Sequence, residues 1–228
     1  MRERQQPVGR KGLLLDHRQG IATGDEEAST LPVAALTAWY ALVEKGQLKE
    51  GQTVLIQGTG GVSIFGLQLA TALRAKTIVT SSSEEKLVRA KSLGAAHGIN
   101  YSRVPDWEKA VLDVTSQQGV DHVLEVGGGD NLARSLAAVK VGGQVSVIGV
   151  LRGVTSNIEL FSLFQKKAVF RGIGGVGPRR AFEEMNKALG KFKLRPIIDA
   201  VYPFADAISA FHHLERGAFG KVVIRVQA

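Results

Sequence analysis

Apolar positions along this chain form short unbroken runs, separated by stretches in which they recur at helical spacing. Residues 53–57 are β-branched and aliphatic, which is typical of a buried strand. A cluster of glycines begins at Gly58, and apolar residues then repeat on one helical face as far as Leu73. A second apolar run covers residues 76–80. Together these patterns predict a strand–helix–strand unit.

The alternation continues through the rest of the chain, where helical patterns separate further apolar runs. Because strands that alternate with helices form parallel sheets covered on both faces, we predict an α/β fold, a doubly wound parallel sheet of the Rossmann type. The further strands are predicted near residues 99–101, 120–126, 145–149, 168–171 and 221–226.

Residues 1–23 differ from the rest, because they are basic and aperiodic, with one apolar cluster at Leu13–Leu15. We predict an N-terminal arm over residues 1–23 and one domain over residues 24–228, which ends in a C-terminal return segment. The domain is expected to open with a helix, since the acidic run 25–27 suits a helix N-terminus.

The glycine cluster after the first strand is predicted to bind phosphate. Gly58 can adopt backbone angles that other residues avoid, and Gly60 lets the main chain approach a pyrophosphate at a helix N-terminus. Ser63 replaces the third glycine of G-x-G-x-x-G and is small enough for close helix–strand packing. The predicted phosphate-binding residues are Gly58, Thr59, Gly60, Gly61, Val62 and Ser63.

The end of the second strand decides which dinucleotide is expected. An acidic residue about 20 positions beyond the turn binds the ribose 2′-hydroxyl of NAD. Here Ser81 and Ser82 occupy that region, and Lys86 lies on the next helix. Hydroxyls and a cation suit a 2′-phosphate, so we expect NADP(H) to be preferred over NAD(H). Alternatively these serines only cap the helix, with Ser82 as the N-cap and Glu85 as its reciprocal partner.

Composition narrows the possible functions. Of 228 residues, 44% are apolar and none is cysteine, which excludes disulfides, thiolate metal ligands and a cysteine nucleophile. No apolar run is long enough to span a bilayer, so we expect a cytoplasmic protein with no membrane partner. A net charge of +8 would also suit nucleic acid, but basic and acidic residues are interspersed. We therefore expect no nucleic-acid partner.

Two other features are weaker candidates for chemistry. A second G-x-G-x-x-G lies at 172–177, but Pro178 follows it and no capped second strand comes at the right interval, so we interpret it as a mobile loop over the crevice. His212 and His213 are adjacent on a predicted helix and diverge, which argues against a metal pair.

Several segments in order resemble the medium-chain dehydrogenase/reductase family, specifically its zinc-type alcohol dehydrogenase-like and quinone oxidoreductase-like branch. The resemblance extends from about Gly24 to Val226. It rests on the segments ASTLPVAALTAWYAL (28–42), VLIQGTGGVS (54–63), TSSSEEK (80–86), LGAAHGINY (93–101), GVDHVLEVG (119–127), GGQVSVIG (142–149) and a final run that includes FGKVVI (219–224).

The resemblance implies NAD(P)-dependent hydride transfer to or from a carbonyl, enone or quinone. It places the adenosine end near Ser81, Ser82, Lys86 and Tyr101. It further implies homodimerisation through the strand at Val169–Gly172. The residues implied on the nicotinamide side are Thr37, Gly127, Gly149, Val150 and Leu151, with Lys221 closing the site.

The chain also departs from the family pattern. Family members begin with a GroES-like catalytic domain, whereas residues 1–23 do not resemble one. The position where zinc-bearing relatives carry a late cysteine ligand falls at about Val33. We therefore expect no catalytic zinc and part of the substrate pocket to be missing. The final strand would then need another partner, for which Leu13–Leu15 is one candidate.

These observations leave two functions open: an active NADPH-dependent reductase, and a catalytically incomplete NADP-binding fragment. Thr37 and Tyr40 could donate hydroxyl hydrogen bonds, but packing explains them equally well, so no catalytic residue is assigned. A methyltransferase is disfavoured, because its glycine turn follows an acidic residue and Gln57 stands there instead.

Overall fold

A computed structural model describes residues 24–174 and 177–226 of the chain. The predicted arm at residues 1–23, including Leu13–Leu15, lies outside the described residues. The eight strands are β1 (Thr53–Gln57), β2 (Lys76–Ser81), β3 (His97–Asn100), β4 (Val120–Glu125), β5 (Val139–Val147), β6 (Val169–Gly172), β7 (Ile198–Pro203) and β8 (Lys221–Arg225).

The α-helices alternate with these strands. They are α1 (Asp25–Ser29), α2 (Leu36–Trp39), α3 (Gly61–Ala72), α4 (Glu84–Ser92), α5 (Trp107–Val114), α6 (Asn131–Ala138), α7 (Leu160–Lys166), α8 (Arg179–Phe192) and α9 (Ala207–Glu215). Two π-helical turns, Leu31–Ala35 and Tyr40–Glu44, flank α2, and a 3₁₀ turn at Phe204–Asp206 precedes α9.

The first six strands form one parallel sheet in the order β3-β2-β1-β4-β5-β6. This is the strand order of a doubly wound dinucleotide-binding fold, so the predicted fold class is confirmed. The strand order reverses between β1 and β4, and ligands on such sheets bind outside the carboxyl ends of the strands at that point. A ligand-binding site is therefore expected at the carboxyl end of β1.

The central strands are apolar on both faces because helices cover both sides of the sheet. Val54, Leu55 and Ile56 of β1 are completely buried. Helix α3 is buried almost all round rather than on the single predicted face, since it lies between the sheet and the helical segment 31–44. Gly66 permits this, because a Cβ there would lie 2.4 Å from Leu124 Cδ1.

The C-terminal strands form a separate two-stranded sheet. No strand is predicted from sequence at β7, yet it pairs in parallel with β8 and so supplies the partner that the final strand was expected to need. A single bridge between Gly60 and Gly220 joins this unit to the turn after β1. The return segment therefore reaches the predicted phosphate site.

Two local predictions need comment. The N-cap of α4 is Ser83, whose Oγ accepts from the Lys86 amide at 3.3 Å, so the predicted capping box of Ser82 and Glu85 is wrong and the N-cap lies one residue later. The second glycine motif does connect β6 to α8, but its residues 175 and 176 lie outside the described residues, so its mobility stays a prediction.

In the described ranges, no helix combines the length and apolarity needed to cross a membrane.

Candidate functional site

A cleft of about 520 Å³ lies over the carboxyl ends of the strands around β1 and β2. Its floor is the turn between β1 and α3. Gly58 has a φ of +71°, a left-handed conformation that L-residues rarely adopt. Its amide donates to the carbonyl of Thr80 at 2.8 Å, which ties the turn to β2. The turn is thus held rigidly at the strand ends.

Gly60 and Gly61 lie in different surroundings, one open and one closely packed. A Cβ added at Gly60, the N-cap of α3, would meet no protein atom within 4 Å, so this residue borders open space. A Cβ at Gly61 would lie 2.7 Å from Lys221 Cδ and 3.2 Å from Ala34 Cβ. Gly60 therefore keeps the cleft open, whereas Gly61 allows α3 to pack closely against the rest of the chain.

Ser63 closes the start of α3 against β1. Its buried Oγ donates to the carbonyl of Gln57 at 2.7 Å. The serine therefore performs the packing role expected for a small residue at the third motif position. No side chain caps the N-terminus of α3. The backbone amides of its first turn are therefore available to donate, and a helix N-terminus of this kind favours an anion.

A fully buried carboxylate lies behind this turn. Glu125 Oε1 accepts from the amides of Gly127 and Gly128 at 2.7 and 3.0 Å. Asn131 Nδ2 and Gln57 Nε2 also donate to the carboxylate, at 3.0 and 2.8 Å. The glutamate therefore fixes the loop after β4 at the rim of the cleft, because a buried polar side chain must have its hydrogen bonds satisfied.

The C-terminal segment 216–220 forms a wall of the cleft. The Gly220 amide donates to the carbonyl of Thr59 at 2.9 Å, which attaches the wall directly to the glycine turn. At the other end, Lys86 Nζ donates to the carbonyl of Gly217. The wall thus extends from the turn after β1 to helix α4.

The polar end of the cleft lies at the ends of β2 and β3. Ser81 accepts from the amide of Tyr101 at 3.0 Å through its carbonyl, and from the amide of Ser83 at 3.2 Å through Oγ. Ser82 is exposed at the rim. The guanidinium of Arg152 lies 5.4 Å from the centroid of the Tyr101 ring. These groups can surround a sugar with an anionic substituent.

The structure gathers most of the predicted site residues around this one cleft. They are Gly58, Thr59, Gly60, Gly61, Val62, Ser63, Ser81, Ser82, Lys86, Tyr101, Gly149 and Leu151.

Four predicted cofactor-binding residues are not on the cleft surface, and neither is the candidate donor Tyr40. Gly127 lines a smaller adjoining cavity of about 240 Å³. Val150 is exposed beside Gly149, and Lys221 packs over Gly61 behind the wall. Thr37 is buried within α2, and the ring of Tyr40 lies against Gly177. Packing therefore accounts for Thr37 and Tyr40, and neither is shown to donate to a ligand.

Sequence reasoning missed Leu214, Arg216 and Gly217, which line the same cleft. Their position depends on the return of the chain after α9, and no motif in the sequence marks it.

The family model for zinc-binding dehydrogenases matches residues 61–191, which is more than half of the chain. The chain belongs to the zinc-binding dehydrogenase family. The resemblance to medium-chain dehydrogenases/reductases is thereby confirmed.

Two family members are particularly similar. The zinc-type alcohol dehydrogenase-like protein C1773.06c of Schizosaccharomyces pombe is 40% identical, over 88% of this chain and 60% of its own length. A crystal structure assigned as an alcohol dehydrogenase from Sinorhizobium meliloti 1021 is 50% identical, with a TM-score of 0.85, over 91% of this chain and 60% of that one. The chain thus spans about 60% of the length of these relatives.

Solved family members differ in their cofactors. An NAD-dependent alcohol dehydrogenase is 31% identical with a TM-score of 0.80, over 90% of this chain and 60% of that one. Mycobacterial Rv1454c, solved with NADPH, is 26% identical with a TM-score of 0.78, over 90% of this chain and 67% of that one. Membership of the family therefore does not decide between the two dinucleotides.

Asp199 on β7 holds the cleft wall in place. Its Oδ2 accepts from the amide of Phe219 at 2.9 Å and lies 3.0 Å from His213 Nε2, while Oδ1 accepts from Arg89 at 2.9 Å. Partial burial alone would raise the pKa of Asp199, but the Phe219 amide and the Arg89 guanidinium outweigh it and lower the pKa. Arg89 also lies over the Phe219 ring, 4.1 Å from its centroid.

This network predicts acid-sensitive stability. A carboxylate whose pKa is lower in the folded state stabilises the protein above its unfolded pKa, about 3.9, and loses that effect as the pH falls through the folded value. Asp199→Asn should therefore lower the free energy of unfolding by about 1 to 3 kcal/mol at pH 7. The difference from the parent should be fully present at neutral pH and should shrink as the pH falls below the unfolded pKa and through the lower folded pKa. Urea unfolding across that range measures it, and a pH-independent difference would contradict the assignment.

Proposed function

We propose that this chain binds NADP(H) in the cleft and serves hydride transfer between the nicotinamide and a carbonyl, enone or quinone. One observation carries the proposal: the uncapped N-terminus of α3 begins at Gly60, next to open space at the carboxyl end of β1. Main-chain amides there can donate to a diphosphate, and the positive end of the helix dipole favours its charge.

The residues present fit a dinucleotide. Gly58–Ser63 would hold the diphosphate, Ser81, Ser82, Lys86 and Tyr101 the adenosine end, and Gly149 and Leu151 the nicotinamide side. None of the described residues lining the cleft is an Asp or Glu. An acidic residue there would favour the ribose hydroxyl of NAD, so its absence from the described lining supports NADP(H).

When bound, the nicotinamide supplies the hydride chemistry, and the protein supplies position. The Glu125 cluster fixes the loop after β4, and the bond from Gly220 to Thr59 fixes the opposite wall. Together they keep the two sides of the cleft at a set separation. No electrophilic side chain is assigned, because Thr37 and Tyr40 are both engaged in packing.

We also propose that the chain contributes no zinc ligands, despite the name of its family. The sequence contains no cysteine, and Val33 occupies the position of the late ligand. Among the described residues, no three His, Asp or Glu side chains are grouped closely enough to hold a metal. No step of the proposed chemistry is assigned to a metal.

Homodimerisation through β6 completes the proposal. β6 is the edge strand next to β5, and its pairing partner on the other side is absent from the described part of the chain. Val169 is 44% exposed, and Phe161 and Phe164 on the preceding α7 are more exposed still. An edge strand with an apolar border is suited to pairing with a second copy.

The phosphate site is tested by Gly60→Val. A Cβ at this position would meet no protein atom within 4 Å and would point into the open space beside the helix N-terminus. We expect the dissociation constant for NADPH, measured by cofactor fluorescence, to rise about tenfold or more, while the melting temperature of the free protein stays unchanged. Gly172→Ala, at another uncrowded glycine, serves as the control. Unchanged NADPH affinity in Gly60→Val would place the diphosphate elsewhere.

Turnover separates the reductase from the incomplete fragment. The chain should oxidise NADPH in the presence of at least one member of a panel of quinones, enals and aldehydes, followed at the absorbance of the reduced cofactor. NADPH binding measured on the same preparation provides the reference. Tight binding with no oxidation across the panel would favour the cofactor-binding fragment and refute the catalytic part of the proposal.

The edge strand is tested by Val169→Lys, because a lysine on an exposed edge opposes strand pairing. We expect the parent to behave as a dimer in sedimentation at micromolar concentration and the variant as a monomer. Val33→Lys, at an exposed apolar position outside β6, is the matched control and should remain dimeric. A monomeric parent would contradict the proposed interface.

A further inference from the structure

A groove of about 980 Å³ runs beside the C-terminal two-stranded sheet, away from the cofactor cleft. Four consecutive residues of β7, 198–201, line it, and residues 24–27 and Arg225 line it as well. Successive side chains of a strand point to opposite faces, so a groove reached by four residues in a row includes the backbone of the strand and not only one face. The groove therefore follows β7 itself.

The C-terminal sheet has an open edge beside this groove. β7 pairs with β8 on one side, and within residues 24–174 and 177–226 no strand pairs with its other side. The pairing is parallel, and parallel strands are normally buried on both faces in sheets of more than two strands. Here β7 is only partly buried, and Val201 is 38% exposed. An edge of this kind is suited to receive a further strand.

The groove lies where residues 1–23 join the described chain, since Gly24 is part of its lining. Leu15 lies nine positions before Gly24, and an extended chain of that length reaches about 30 Å. β7 has six residues, which span about 20 Å. The apolar cluster Leu13–Leu15 can therefore reach any part of β7. Its covalent attachment raises its local concentration to the order of millimolar.

Charge favours the same occupant. Residues 1–23 contain five Arg or Lys and two Asp or Glu. The groove lining contains four carboxylates and two guanidinium groups, and Arg89 pairs with one of these carboxylates from outside the lining. One carboxylate therefore remains in excess, so a basic segment meets an acidic surface. The lining carboxylates are Asp25, Glu26, Glu27 and Asp199, and the lining guanidinium groups are Arg195 and Arg225.

We propose that Leu13–Leu15 binds in this groove as a third strand on the open edge of β7. Main-chain hydrogen bonds would supply the affinity, and the leucines would cover the apolar residues of the groove, among them Val201. A third strand would also bring the sheet to a size that is stable in water. Because Asp199 of β7 accepts from the Phe219 amide, the N-terminal arm would support the cleft wall from behind.

Cysteine cross-linking tests the proposal directly, since the 228-residue chain contains no cysteine of its own. Ala200→Cys, or Val201→Cys on the other face of β7, is combined in turn with Leu13→Cys, Leu14→Cys and Leu15→Cys. After mild oxidation of the full chain, we expect at least one pair to form an intramolecular disulfide, because paired strands bring Cβ atoms within disulfide range. Gln5→Cys with the same β7 cysteine is the matched control and should cross-link at least about fivefold less.

Hydrogen exchange of the β7 amides provides a second readout. Leu14→Pro removes a backbone donor and opposes strand pairing, so it should speed exchange of the β7 amides that do not pair with β8 by about tenfold or more. Gln5→Pro places the same residue outside the apolar cluster and should leave their exchange rates unchanged.

The possible occupants of the groove give different results. A disulfide that links two copies of the chain would place the arm on a second copy and overturn the intramolecular docking. Cross-linking no greater than the control, or β7 exchange that Leu14→Pro does not change, would also overturn it and leave the groove to a different protein chain. Neither measurement contains NADPH, so failure of the proposed function would not alter these results.

Discussion

The site depends on the short turn between β1 and α3, which is held from two sides by main-chain hydrogen bonds. The Gly58 amide donates to Thr80 on β2, and the Thr59 carbonyl accepts from Gly220 at the start of the C-terminal wall. Because both neighbours are attached to the turn itself, the shape of the cleft follows from its conformation.

Two carboxylates support the same arrangement. Glu125 accepts hydrogen bonds from amides of the loop after β4, and Asp199 accepts them from the Phe219 amide and from Arg89. Each carboxylate therefore positions one wall of the cleft while lying outside the lining. The lining itself carries cations and hydroxyls, an environment that suits an anionic ligand and is consistent with a family that contains both NAD- and NADPH-binding members.

Much of the sheet could be predicted because its signals are local. Strands β1 and β2 lie on the apolar runs at residues 53–57 and 76–80 that predict them. The glycine turn was predicted from its own residues and from its position between strand and helix. The start of α4 was misplaced by one residue because Ser82 and Ser83 are chemically equivalent as caps, and only the backbone conformation of Ser83 distinguishes them.

What could not be predicted depends on distant contacts. β7 lies half exposed, so its residues lack the apolar run that marks a central strand. Arg216 and Gly217 join the cleft through the return of the chain after α9, and Thr37 is buried by the packing of α2 against its neighbours. The local sequence around these residues does not indicate such long-range contacts.

Isothermal titration of the 228-residue chain with NADPH, and in parallel with NADH, tests the central claim most directly. The account predicts measurable heat at one site per chain, tighter binding of NADPH, and a rise in melting temperature that increases with its concentration. The absence of both heat and a melting shift with either dinucleotide at millimolar concentration would contradict it.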